Sequence, residues 1–270
     1  MRGHGRSYGA ISVMNAIPCG IGSTIGIELT TDVEFSDSDT TTITLVDRPD
    51  IDTKLVRTCV KRTLESIGQE PIDYSLKVIS EIPPSVGLKS SSSVCNATIS
   101  AVLDALGERM ETLDIIRLGV RCARECNVTV TGSFDDACGC EFGGLVITDN
   151  RNDDIINRMR IPEYDVIICL PGSPPKEKIP KEKYAVLSDT FQAMVPSIES
   201  DYLNVLTENG RYISRIIGDT SDLAESALKA GALAAGVSGT GPAIAALTEK
   251  GKGKEIADRF CSNYILTRAR

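Results

Sequence analysis

The chain has 270 residues, of which 41% are apolar, so it can bury the core of one large domain or two modest ones. Its formal net charge of -8 and the lack of a cluster of Lys and Arg exclude the basic surface typical of nucleic-acid-binding proteins. No apolar run approaches the roughly 20 residues that cross a bilayer, and no apolar signal-peptide segment follows the N-terminus. We therefore expect a globular, cytoplasmic protein with neither a nucleic-acid nor a membrane partner.

The cysteine pattern indicates reduced thiols. Nine cysteines, an odd number, are spread through apolar segments, which is more typical of a reducing compartment than of a disulfide framework. Their local spacings are poor matches to structural zinc sites. The sole histidine, His4, lies in a glycine-rich terminus, so a histidine-based catalytic triad is disfavoured.

The first third of the chain is rich in β-branched and alternating residues. This pattern predicts a hairpin of two strands over residues 10–17 and 24–35, then single strands over residues 41–46 and 74–82. Between the last two strands, apolar residues at helical spacing predict a helix over residues 52–67.

The last of these strands runs into a turn and then a strongly apolar helix. Pro83 and Pro84 end the strand, and Gly87 permits backbone conformations that other residues rarely adopt. Residues 90–93 are four serines, which are favoured helix caps. The helix that follows is apolar on both sides until Gly107, which predicts that it is buried.

A buried helix whose first turn has free N–H groups attracts an anion through those donors and through its dipole. Serine hydroxyls and an adjacent lysine strengthen the attraction. We therefore predict a phosphate site formed by Pro83, Pro84, Ser85, Val86, Gly87, Leu88, Lys89, Ser90, Ser91, Ser92 and Ser93. From this stretch alone, a merely polar helix start is an equal alternative.

The second half of the chain alternates between helices and strands. We predict helices over residues 112–126, 184–195, 202–208 and 223–230 and strands over residues 143–148, 165–170, 233–237 and 243–247. A polar break between residues 149 and 162 divides the chain into a first lobe of residues 1–155 and a second of residues 156–270. Residues 171–178 form a proline-rich charged loop that could be a lid, although an ordinary surface loop is the stronger expectation.

A second glycine-rich element, residues 236–243, lies between two apolar strands and contains Gly239 and Gly241. It does not match the dinucleotide-binding fingerprint, because Ile244 stands where the third glycine is required. Two such elements far apart in the chain, each after an apolar strand, indicate a backbone that closes around one ligand.

Three acids lie in apolar surroundings, where an unpaired charge is destabilising: Glu125, Asp135 and Asp136. Phosphoryl transfer needs carboxylates to hold a metal ion and to orient or deprotonate the attacking hydroxyl. The alternative is that these are exposed acids at a helix start, where aspartate is favoured.

The segment containing Pro83 and residues 87–92 resembles the phosphate loop of the GHMP small-molecule kinases. Ser85 departs from the pattern where the family usually has its first glycine, and Lys89 fills a position that is usually small. The final glycine-rich turn also resembles the last motif of this family, in the same chain order. The resemblance implies an α+β, two-lobed GHMP kinase fold: an N-terminal mixed sheet with crossover helices, a C-terminal ferredoxin-like α/β lobe and a cleft between them.

The resemblance also implies roles for the acids. Glu125 precedes Asp136 by eleven residues and Gly143 follows it by seven, as in several family members, so Asp136 is implied as the catalytic base. Asp135 fits a competing pattern with Gly132 and is kept as the alternative. The implied cofactors are ATP and Mg²⁺, with Ser91 and Glu125 on the metal. Lys89 is then a local positive charge, and the loop backbone binds the phosphates.

Within the superfamily, the chain most resembles the archaeal-type shikimate kinases, through its short length, its Lys89-containing loop and residues 131–137. This implies ATP-dependent phosphorylation of the shikimate 3-hydroxyl. Homoserine kinase or another GHMP kinase is the alternative, and a nucleotide- or small-molecule-binding protein is the alternative without catalysis. A carboxylate-bearing acceptor would need a cation, for which the candidates are Arg2, Arg6, Lys77, Arg121 and Arg151.

Overall fold

The computed structural model of the chain describes residues 1–46, 48, 50–129, 133–170, 179–218 and 221–270. The predicted lid of residues 171–178 and Gly132 lie outside the described residues. No helix in the described part is long and apolar enough to span a membrane.

A mixed six-stranded sheet forms the first half of the fold. Its strands are β1 (Arg2–Met14), β2 (Ile21–Asp37), β3 (Thr42–Leu45), β4 (Tyr74–Ser80), β5 (Leu145–Asp149) and β6 (Asp154–Met159). β1 and β2 form the predicted antiparallel hairpin. β2 also pairs with β4 through residues 31–37 and with β5 through residues 21–25. Because β3 runs parallel to β4, the sheet is mixed, as predicted.

Four helices accompany this sheet: α1 (Lys54–Ser66), α2 (Ser90–Leu106), α3 (Thr112–Glu125) and α4 (Phe134–Phe142). α2 is buried, as its apolar sides predict. It lies directly on β1, since a Cβ added at Gly5 would be 2.0 Å from the carbonyl oxygen of Ala97. α4 is not among the predicted elements, because it is short and contains Gly139. That glycine also packs closely: its Cβ would be 2.3 Å from the Thr24 hydroxyl.

The second sheet contains β7 (Tyr164–Cys169), β8 (Ala234–Val237), β9 (Ile244–Glu249) and β10 (Tyr264–Arg268). Its order is β10-β7-β9-β8 with every neighbouring pair antiparallel, which is the predicted ferredoxin-like arrangement. The helices of this half are α5 (Glu182–Ala185), α6 (Ser188–Met194), α7 (Ile198–Ile217), α8 (Ser221–Ala230) and α9 (Gly253–Phe260).

α7 is much longer than the predicted helix over residues 202–208. Gly210 interrupts the helical pattern in the sequence, but it serves a close packing contact in the fold. A Cβ at Gly210 would lie 2.3 Å from the Cα of Gly236 in β8. The helix therefore continues through Gly210 and buries Ile213 on its far side.

The polar break predicted between residues 149 and 162 contains β6, an edge strand that pairs with β5 in the first sheet. Its residues alternate between exposed and half-buried, so its sequence is that of a solvated edge. The change of sheet falls between Met159 and Tyr164, and the predicted division after residue 155 lies within β6.

The expectation of nine reduced thiols is wrong for one pair. Cys169 and Cys261 form a disulfide whose Cα atoms are 6.3 Å apart, and the other seven cysteines are free. The two residues are separated by 92 positions in the chain. They meet because Leu170 and Asn263, which follow β7 and precede β10, are joined by a backbone hydrogen bond.

Candidate active site

The predicted phosphate loop joins β4 to α2, and three contacts hold it in place. Its carbonyl oxygens at Val86 and Leu88 accept hydrogen bonds from the backbone N–H groups of Ala243 and Ala10, at 3.1 and 3.4 Å. The third carbonyl, at Gly87, accepts one from the Ser238 hydroxyl at 2.8 Å. These three hydrogen bonds fix the loop to β1 and to the final glycine-rich turn.

Position 87 requires glycine, both for its backbone conformation and because a side chain would not fit. Its φ of 92° lies in the left-handed region, and a Cβ there would be 2.0 Å from the Ser238 carbonyl oxygen. Ser85 and Lys89 also have positive φ values, 60° and 68°. The turn is thus tightly wound immediately before α2.

The helix cap differs from the expectation. The N-cap residue of α2 is Lys89 rather than a serine, and no side chain caps the helix. The N–H groups of the first turn consequently have no side-chain partner, as an anion site requires. Along the loop, Ser85 and Ser91 are exposed; Pro83, Pro84, Val86, Gly87 and Ser90 are half-buried; Leu88, Lys89, Ser92 and Ser93 are buried.

The two glycine-rich elements of the sequence meet in the fold. Gly239, with a φ of 59°, would place a Cβ 3.4 Å from the Cα of Gly87. Its N–H donates to the Ser12 hydroxyl at 3.0 Å, and its carbonyl accepts from the Asn15 side chain at 3.0 Å. Gly239 and Gly241 are both buried, so this turn supports the loop from the second half of the fold.

A buried ion pair lies beneath the amino end of α2. The Lys89 ammonium is 2.8 Å from the Asp136 carboxylate and donates to the Ser12 hydroxyl at 2.7 Å. The side chains of Lys89 and Asp136 are 5% and 20% exposed. Burial alone would lower the pKa of Lys89, but Asp136 and Asp135 outweigh burial and raise that pKa, so Lys89 is charged.

Asp135, which precedes Asp136 in α4, is buried and bonds Asn150. The Asn150 side chain donates to its carboxylate, and the same amide accepts from the Asp135 N–H at 3.1 Å. The second carboxylate oxygen of Asp135 packs against Gly22 of β2, where an added Cβ would be only 2.4 Å from it. Burial, followed by the charge of Asp136, raises the pKa of Asp135 to about 7. Both acids start α4, yet Asp135 is buried, unlike acids on an exposed helix start.

Glu125 is the last residue of α3 and is exposed. Arg62 of α1 binds its carboxylate at 2.8 Å. α3 packs against the first half of α2, where a Cβ at Gly119 would lie 3.1 Å from that of Cys95. Among the described residues, no cluster of three or more His, Cys, Asp or Glu side chains is arranged to hold a metal ion.

Ser12 and Asn150 are site residues that the sequence analysis does not identify. Ser12 interrupts the apolar run of β1, and a hydroxyl in a buried strand is the signal that could have found it. Asn150 follows β5 and is also buried, but nothing local connects it with Asp135.

Comparison with protein-family models matches both halves of the chain. The model described as the GHMP kinases N terminal domain matches residues 54–144, and the GHMP kinases C terminal model matches residues 198–266. A protein of Methanosarcina mazei named shikimate kinase is 38% identical over 261 residues, covering 95% of this chain and 88% of the relative. The chain belongs to the GHMP kinase family. Another relative, the shikimate kinase of Pyrococcus furiosus, is 32% identical, and the match covers 100% of both chains.

Solved structures of a mevalonate kinase and a homoserine kinase share this fold. The mevalonate kinase of Methanococcus jannaschii superposes with a TM-score of 0.80 at 18% identity, covering 100% of this chain and 98% of that one. A homoserine kinase from Cytophaga hutchinsonii gives a TM-score of 0.76 at 20% identity, covering 100% and 95%. As a GHMP kinase, the chain is a phosphotransferase, and the family implies ATP as its phosphate donor.

Proposed function

We propose that the protein phosphorylates the 3-hydroxyl of shikimate with ATP, giving 3-phosphoshikimate and ADP. The relatives named shikimate kinase, which align over nearly the whole chain, support the choice of acceptor. The observation that best supports phosphoryl transfer is the ion pair of Lys89 with Asp136. It places the lysine of the predicted phosphate loop next to the carboxylate of the predicted base.

In this proposal, the first turn of α2 binds the phosphates of ATP. Its N–H groups lack side-chain caps, and the exposed Ser91 and half-buried Ser90 add hydroxyl donors. The helix dipole favours negative charge at this end. Lys89 contributes a fixed positive charge at the N-cap, where negative charge gathers on the phosphoryl group during transfer.

Asp136 is the proposed acceptor of the proton from the attacking hydroxyl. Its side chain is partly exposed, whereas Asp135 is buried and already bonded to Asn150. A substrate hydroxyl can therefore approach Asp136 more readily than Asp135. Lys89 and Ser12 hold this arrangement: the ammonium bonds both the carboxylate and the hydroxyl and so orients the acid.

Ser91 and Glu125 are the residues proposed to hold Mg²⁺. A hydroxyl and a carboxylate are the hard oxygen donors that Mg²⁺ prefers, and both side chains are exposed near the start of α2 and the end of α3. Few protein ligands suffice, because Mg²⁺ at phosphate sites is also bound by phosphate oxygens and water. When bound, the ion neutralises phosphate charge. Glu125 would have to exchange its contact with Arg62 for the metal.

The test is an assay of ADP release by the purified protein with ATP, Mg²⁺ and one acceptor at a time: shikimate, homoserine or mevalonate. We expect turnover with shikimate, and mass spectrometry of the product should show one added phosphoryl group. Turnover confined to homoserine or mevalonate would replace the proposed acceptor. No turnover with any of the three would favour a binding protein.

A further inference from the structure

A carboxylate-bearing acceptor needs a cation at the far side of its site from the reacting hydroxyl. The fold separates the five cationic candidates of the sequence. β1 carries Arg2 and Arg6, and its glycines at positions 3 and 5 pack against residues 97–105 of α2. This part of α2 begins seven residues past the helix start, about 10 Å along the axis. Arg6 is moreover bound to Asp32.

Two further candidates point into solvent elsewhere. Lys77 is exposed on β4, in register with Glu34 of β2. Arg121 is on the exposed side of α3, while its neighbour Cys122 is buried. Neither of them is next in the chain to a residue whose side chain bonds Asp135 or Asp136.

Arg151 has a different position. It directly follows Asn150, whose side chain exchanges two hydrogen bonds with Asp135 in the first turn of α4. The chain segment of Arg151 is therefore linked directly to the start of α4. Its side chain lies flat across the turn between β1 and β2, because a Cβ at Gly20 would be 2.8 Å from its Cδ and Nε atoms. The N–H of Asn150 donates to the Gly20 carbonyl at 2.8 Å and fixes this approach.

Asp149 orients the Arg151 side chain. One of its carboxylate oxygens accepts two hydrogen bonds from Arg151, one from the backbone N–H and one from the side-chain Nε, each at 3.0 Å. The Arg151 side chain is 60% exposed, and its two terminal nitrogens bond no residue in the described part of the chain. A guanidinium held through Nε presents those nitrogens as a fork that matches a carboxylate.

We infer that Arg151 binds the carboxylate of the acceptor, with Asp149 as the residue that positions it. The inference rests on the proposed function, in which the acceptor hydroxyl lies at Asp136, and it requires the acid group of the same small ring to reach the turn at Gly20. Arg151 thereby selects acids over neutral alcohols of similar shape.

The test compares the parent, Arg151→Gln, Arg151→Lys and the control Lys77→Gln, which removes the same charge from β4. Each is assayed with shikimate and with its neutral methyl ester. For Arg151→Gln we expect the KM for shikimate to rise about 10- to 100-fold, with kcat and the KM for ATP within about threefold. The KM of Arg151→Lys for shikimate should lie between those of the parent and Arg151→Gln, because lysine keeps the charge but lacks the forked pair of nitrogens. Lys77→Gln should match the parent.

The ester distinguishes recognition from a structural role. The parent should prefer shikimate to the ester, and Arg151→Gln should lose that preference while its KM for the ester stays the same. An unchanged KM for shikimate, or an equal loss with both acceptors, would overturn the inference alone. If Arg151→Gln does not fold, a parent-like KM in Arg151→Lys would overturn it. Absence of shikimate turnover by the parent would instead overturn the proposed function, and this inference with it.

Discussion

Replacing Lys89 with methionine tests the ion pair on which the site depends. Lys89→Met keeps a long side chain but leaves the Asp136 carboxylate without its partner. Removing one member of a buried pair costs about 3–5 kcal/mol, and because Asp136 is 20% exposed to water we expect the lower end, about 3 kcal/mol. The lost hydrogen bond to Ser12 adds about 1 kcal/mol. The free energy of unfolding should therefore fall by about 4 kcal/mol.

The measurement is urea denaturation at pH 7 of the parent, Lys89→Met, Asp136→Asn and the double variant. The double variant has no unpaired carboxylate at position 136, so it should recover about 2 kcal/mol relative to the sum of the single changes. Lys254→Met is the control, since its pair with Asp258 is exposed and should contribute nothing measurable. Additive losses, or a Lys89→Met variant as stable as the parent, would refute the reasoning.

Three further changes test individual residues. Asp136→Asn should leave ATP affinity within a few-fold and abolish turnover; an unchanged kcat would remove Asp136 from the mechanism. Ser91→Ala should raise the Mg²⁺ concentration needed for half-maximal rate, and a metal titration identical to the parent's would argue against ligation. Asp135, whose pKa is raised from 3.8 to about 7, keeps a proton in the folded state that the unfolded chain releases, so its contribution to stability is lost as pH rises through that window. The unfolding free energy of Asp135→Asn should therefore decrease less between pH 4 and 7 than that of the parent. If the unfolding free energies of the variant and the parent changed equally with pH, the raised pKa of Asp135 would be contradicted.

Local signals predict much of the fold. The turn before α2 shows this best, because prolines, Gly87, serines and an apolar helix act within one short stretch of chain. The hairpin of β1 and β2 and the strand order of the second sheet also follow from periodicity or from the resemblance to the family. Where a local pattern is ambiguous, prediction fails: β6 reads as a polar break because one side of an edge strand is solvated, and Gly210 conceals the length of α7.

The candidate site was predictable only as a set of residue types. The loop, Asp135 and Asp136 are visible in the sequence, but only the resemblance to the family, through the spacing of Asp136 from Glu125 and Gly143, favours Asp136 over Asp135 as the base. Burial distinguishes them: Asp135 faces Asn150, and Asp136 faces Lys89. The serine caps are the opposite case, because the sequence favours them and the left-handed backbone of Lys89 takes the N-cap position instead.

By itself, the sequence determined most of the strands and helices, that α2 is buried and that a turn of prolines, Gly87 and serines precedes it, because these properties depend on residues within a few positions of one another. Tertiary structure alone decided that Lys89 pairs with Asp136, that Ser12 joins them and that Arg151 lies across Gly20. These partners are tens of residues or more apart in the chain. Hydrogen bonds and ion pairs act over about 3 Å, so only the folded path of the backbone can determine which distant side chains meet.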